Sequence, residues 1–225
     1  MKGNARSPVI VVFLKDVRSE LRTRYALNAL IMFVLTTLSI ILFSIGSEDV
    51  SPDVLSGVLW IIIFFSSMSG LSRTFVSEEE RGTVMTLQLL AKPLQIYYGK
   101  LLFNIFLMFL INILAVTLYV LFINSFTVRS YDVFALTIFL GTLGLASAAT
   151  IIAAIIAKAN SKGTLYPVLS FPILLPLMLT VINATRLAVN GATLLESVGE
   201  FQVLVSYIVV MVTVSYLVFD YVWKE

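Results

Sequence analysis

Six stretches of the chain are apolar over long runs, at about 26–45, 54–72, 101–123, 133–157, 165–182 and 201–222. Each is long enough to cross the ~30 Å hydrocarbon core of a bilayer as an α-helix. Of the 28 charged side chains, only Asp220 falls inside these runs. Such segregation follows from the free energy needed to place a charge at mid-bilayer. The pattern predicts an all-α membrane protein with six transmembrane helices in a single transmembrane domain over 1–225.

Orientation follows from alternate connections. Thirteen of the 15 Lys and Arg residues lie in 1–25, 73–100, 158–164 and 223–225, against Arg129 and Arg186 in the connections between them. The positive-inside rule then places both termini in the cytoplasm. Glu48, Asp49 and Asp53, with no basic neighbour, agree with an outer position for the first connection. No cleaved signal peptide is expected, because the first apolar run begins at Ala26 and is followed by acidic residues without a small-residue cleavage site.

Residues 1–25 read as an interfacial helix. Ile10, Phe13, Leu14, Val17, Leu21 and Tyr25 recur at three- and four-residue spacing, while Lys15, Arg18, Arg22 and Arg24 can reach lipid phosphate. A topology anchor and a docking element for a partner both fit that pattern.

The connection after the second run carries Ser77-Glu78-Glu79-Glu80-Arg81-Gly82-Thr83. Ser77 followed by Glu80 has capping-box spacing, and Glu78 and Glu79 suit the positive end of a helix. A helix over 77–92, closed by Pro93, is therefore predicted, with Val84, Leu87 and Leu90/Ala91 as its apolar stripe and the acidic turn projecting outward. An ordinary joining helix is one reading. The other is a short lever on which a cytoplasmic partner pushes.

Within the spans, Gly141, Gly144, Ser147 (or Ala148) and Thr150 recur about every third position, so the fourth helix is expected to pack closely inside the bundle or at a subunit contact. Asn104 and Asn112 share a face of the third; interhelical hydrogen bonding or lining of a pathway fits them. Pro167, Pro172 and Pro176 remove backbone donors from the fifth and predict a broken or kinked helix. The outer segment 183–200 is read as short helices dipping into the outer interface, with Arg186, Glu196 and Glu200 available to a partner.

Composition narrows the chemistry. Hydrophobic residues make up 59% of the 225 residues, charged residues 12%, and mean hydropathy is +1.00. A soluble domain carries about twice that charge, so cytosolic enzymes are excluded. The net charge of +2 argues against a nucleic-acid partner. With no Cys and no His, thiolate and imidazole chemistry is missing, and no strong axial haem ligand is present. No catalytic, cofactor-binding or metal-binding residue is expected. The largest piece outside the spans has 28 residues, too few for a catalytic domain, and the chain lacks a phosphate-binding G-x-x-x-x-G-K-[ST] loop. ATP hydrolysis, if coupled to this chain, belongs to another subunit.

Several segments in order resemble the heme exporter protein B family (CcmB), a branch of the ABC-2 type permeases of cytochrome c biogenesis. They are Lys15-Asp16 through Glu20-Leu21-Arg22, Gly70-Leu71 through Phe75 into Glu78, Glu80, Gly82 and Thr83, Gly99-Lys100, Asn104, Gly141 through Ala146, and Phe171-Pro172 through Leu177. The loop Lys158 to Thr164 departs from the family pattern, so no contact is assigned to it. The resemblance implies a homodimer in a bacterial-type inner membrane. It implies an ABC ATPase partner seated at a coupling helix that contains Glu78, Glu79, Glu80, Arg81, Gly82 and Thr83. It also implies haem-handling membrane subunits and a periplasmic haem chaperone, with ATP and haem held by partners rather than by this chain. Two other readings stay open: an ABC-2 permease exporting another amphiphile such as a lipid, glycan or drug, and a membrane assembly scaffold that transports nothing.

Overall fold

A computed structural model describes residues 7–46, 50–158 and 162–224, with side chains except at 25, 162–167 and 224. Glu48, Asp49, the side chain of Pro167 and much of the Lys158 to Thr164 loop lie outside the described residues. The described chain is helical: α1 (Pro8–Thr23), α2 (Tyr25–Ile45), α3 (Pro52–Leu71), α4 (Arg73–Glu80), α5 (Val84–Leu90), α6 (Pro93–Phe122), α7 (Tyr131–Ala157), α8 (Lys162–Asn190) and α9 (Val198–Lys224). Among the described residues, six segments are long and apolar enough to cross a membrane: Ala26–Ile45, Pro52–Glu80, Pro93–Phe122, Tyr131–Ala157, Val168–Asn190 and Val198–Trp223.

The small residues of α7 explain why this helix lies at the centre, packed by α3, α4, α6, α8 and α9. A Cβ at Gly141 would stand 2.3 Å from the ring of Trp60 on α3, and one at Gly144 would stand 2.7 Å from Leu177 on α8. Both glycines therefore serve close packing within the chain. The Trp60 indole N–H, buried by that approach, donates to Thr185 Oγ1 at 2.7 Å and ties α3 to α8.

The predicted break in the fifth span is absent. α8 continues through Pro167, Pro172 and Pro176 to Asn190, with Pro172 and Pro176 on its exposed face and Leu174 and Leu177 buried. A ring four residues from the next on the outer face leaves the packed face intact, so the missing donors do not end the helix. The outer segment is correspondingly shorter than expected. Asn183–Asn190 continues α8, and Arg186 pairs with Asp53 at 2.9 Å instead of standing free. Asn183 donates to Glu200 at 2.7 Å, and the turn before α9 is held by Thr193, whose backbone N–H and hydroxyl donate to Glu196. These bonds keep the Glu196 carboxyl below its usual range.

Alternate connections gather at opposite ends of the bundle, as expected for successive crossings. One end holds α1, the α4–α5 connection, the start of α6 and the ends of α7 and α9. The other joins Asp53 to Arg186 and the Arg129 and Ser130 N–H groups to Ala188 O.

Candidate functional site

α1 crosses the start of α6 so closely that only glycine fits at position 99: a Cβ there would lie 2.7 Å from Val12 and 2.9 Å from Val9 O. This approach turns Val12 and Asp16 inward and sets Asp16 against the next residue of α6, Lys100. The protein-facing side of α1 is thus a different face from the predicted apolar stripe. Val12 and Asp16 face the protein, whereas Ile10 and Leu21 remain exposed.

Lys100 is 1% exposed, Glu78 5% and Asp16 8%, so three charges are buried together. Lys100 Nζ lies 3.1 Å from Asp16 Oδ2 and 2.8 Å from Glu78 Oε1, and 5.6 Å from the centre of the Phe75 ring. Lys15 completes the cluster, 3.2 Å from Asp16 Oδ1 and hydrogen-bonded to Glu78 Oε1. The Thr83 hydroxyl donates to Glu78 Oε2. Two ammonium and two carboxylate groups balance, which is how charges persist in a poorly solvated site. Lys15, still partly exposed, is thus tied to this cluster by two ion pairs.

The acidic run does not open a helix. Ser77, Glu78, Glu79 and Glu80 form the last turn of α4, where the predicted capping box has no place. Gly82, at φ +64°, ends the helix: its N–H donates to Glu79 O at 3.1 Å and the Thr83 N–H donates to Glu78 O at 3.0 Å. These two bonds are a Schellman closure, which places glycine in the left-handed conformation just past the helix. The predicted single helix over 77–92 is instead the end of α4, a turn at 81–83, and α5. Pro93 opens α6 rather than only closing what precedes it.

Carboxylates at a helix C-terminus oppose the helix dipole, and each of the three is met by a cation. Glu78 has Lys100 and Lys15; Glu79 has Lys158, from the end of α7, at 3.3 Å; Glu80 has Arg73 at 3.0 Å. Arg81 donates to Ser19 of α1 at 3.2 Å. Lys158 also stands 5.9 Å from the Trp223 ring, so the loop to which no contact was assigned supplies one. The last turn of α4 is therefore tied to α1, α6 and α7. Val84 and Leu87 of α5 are buried and Gln88 donates to Trp223 O at 3.0 Å, whereas Met85, Leu89 and Leu90 are exposed. Leu90 thus lies on the outer face and not in the inner stripe.

A polar ladder leads from this cluster into the bundle. Asn104, wholly buried, lies 2.9 Å from the Thr74 hydroxyl of α4 and donates to Thr150 of α7 at 2.8 Å. Two turns further, Asn112 donates to Thr142 at 2.8 Å, and its Oδ1 has no partner among the described residues. Both asparagines face α7.

Sequence reasoning singled out the glutamates and Gly82 but missed Asp16, Lys100 and Lys158 as their setting. The available signal was Lys100 itself, a lone ammonium at the very edge of the third apolar run, where a charge needs a partner.

A chain with six apolar crossings among its described residues, and an ion-clamped short segment at one end, is a multi-pass membrane protein. A family model described as CcmB protein matches residues 8–221, and the chain belongs to that family. Membership makes it a permease subunit of the haem-exporter type that acts in cytochrome c maturation, not itself a catalyst. No curated protein matches the chain.

Proposed function

We propose that this chain couples ATP hydrolysis by a separate cytoplasmic ATPase to haem handling, or to release of a haem-loaded periplasmic chaperone, as one subunit of a homodimer with both termini in the cytoplasm. The observation that carries the reading is the two-sided character of the α4–α5 segment. Its inner side is fixed to α1, α6 and α7 by the ion pairs of Glu78 and Glu79, while Met85, Leu89 and Leu90 stand exposed beyond it. A force applied to that outer face reaches three helices without first bending a loop. The ATPase is expected to seat on this segment, with Arg81, Gly82 and Thr83 shaping the contact. Haem belongs to partners, since the chain has neither His nor Cys.

An apolar groove of about 350 Å³ between α3 and α8, lined in part by Trp60, Phe64, Phe65 and Phe171, supports a second reading, the export of another amphiphile. The two separate on deletion of the gene. Loss of holocytochrome c, together with a co-purifying ATPase and haem-handling subunits, supports the first. Normal holocytochrome c with a co-purifying ATPase moves the assignment to the second.

A further inference from the structure

α1 carries three faces. Val12 and Asp16 pack on the protein; Ile10, Leu14, Val17 and Leu21 form an apolar stripe; Lys15, Arg18 and Arg22, spaced three and four apart, form a basic stripe between the other two. A groove of about 510 Å³ runs along the basic stripe, between α1 and the turn after α4. Arg18, Arg22 and Arg81 line it together with Val11 and Leu14, and Thr83 closes one side. Lys15 and Glu78 also border the groove, but they neutralise each other as an ion pair at the edge of the buried cluster. Among the described residues, Arg18, Arg22 and Arg81 have no carboxylate at ion-pair distance, and Arg81 is aimed at α1 by its bond to Ser19. Three guanidinium groups thus converge on a groove whose rim is apolar.

We infer that this groove binds the phosphate headgroup of an anionic phospholipid from the leaflet at this end of the bundle. Guanidinium groups match phosphate oxygens in bidentate geometry. The exposed Ile10, Val11 and Leu21 place the same helix in the interface, where acyl chains run beside it. That apolar rim favours lipid over an acidic segment of a protein partner. The bound headgroup touches α1 and the α4–α5 turn at once, so it braces the segment proposed above to meet the ATPase. The binding itself is measured on the permease alone and does not depend on that proposal.

The full chain is placed in phosphatidylcholine nanodiscs containing a minor fraction of phosphatidylglycerol, released into the gas phase, and its retained lipids are identified by native mass spectrometry. Selective retention of phosphatidylglycerol is expected, declining as salt rises. In the Arg18→Gln/Arg22→Gln double variant, retention falls roughly 30-fold, as removal of two surface cations implies. Arg129→Gln, at the other end of the bundle, leaves it unchanged. Equal retention of phosphatidylcholine overturns the proposal, because the groove then does not read charge. It is also overturned if the double variant holds phosphatidylglycerol as the parent does but loses a co-purifying ATPase, which would make the groove a protein contact.

Discussion

Lys100 Nζ stands 2.8 Å from Glu78 Oε1, and both residues are buried, which joins the third membrane-crossing helix to the last turn of α4. With Asp16 and Lys15 the group carries no net charge, and its balance is what keeps it stable away from water.

Removal of one partner should therefore be worse than removal of two. Lys100→Met leaves a carboxylate unmatched and is expected to destabilise the protein by about 3–5 kcal/mol. Lys100→Met with Glu78→Gln restores neutrality and should recover much of that loss. Thermal unfolding of the single and double variants in one detergent checks the order; a double variant that unfolds at or below the temperature of Lys100→Met contradicts it.

Gly141 lies under the Trp60 ring, and Gly199 has open space around it. Gly141→Ala must displace the ring and strain its bond to Thr185, a change expected to destabilise by about 1–3 kcal/mol. Gly199→Ala, within α9, should be neutral or stabilise by up to about 1 kcal/mol. The pair is compared by retention of monodisperse protein after heating.

The two buried asparagines should differ. Asn104→Leu removes contacts to both Thr74 and Thr150, and a loss of about 0.6–2 kcal/mol is expected for interhelical bonds of this kind. Asn112→Leu removes one bond but also an unpartnered oxygen, so its effect should be smaller. Unfolding temperatures in the same detergent rank them.

Long apolar runs made the six crossings and their alternation legible, since their length and lack of charge are properties of local sequence. The close-packed role of Gly141 and Gly144 was legible for the same reason. Other features depended on what lies across space. Ser77 and Glu80 have capping-box spacing, yet the preceding residues from Arg73 already form helix, and Gly82 then supplies the stop. Pro172 and Pro176 read as breakers, but their position on the outer face leaves α8 packed. The cations of the acidic turn come from α1, α4, α6 and α7, and no single-segment pattern announces such convergence.

The most direct test of the central claim uses the permease with its ATPase in native membranes, comparing Gly82→Ala and Glu80→Ala with Gly199→Ala. A side chain at φ +64° disfavours the turn by about 1–2 kcal/mol, while the space around Gly82 is open, so any effect arises from the turn rather than from a clash. The expected result is normal insertion of all three variants, with ATPase association or ATP turnover lost in the first two and kept in the third. Normal association and turnover in Gly82→Ala and Glu80→Ala would contradict the assignment of this segment as the seat of coupling.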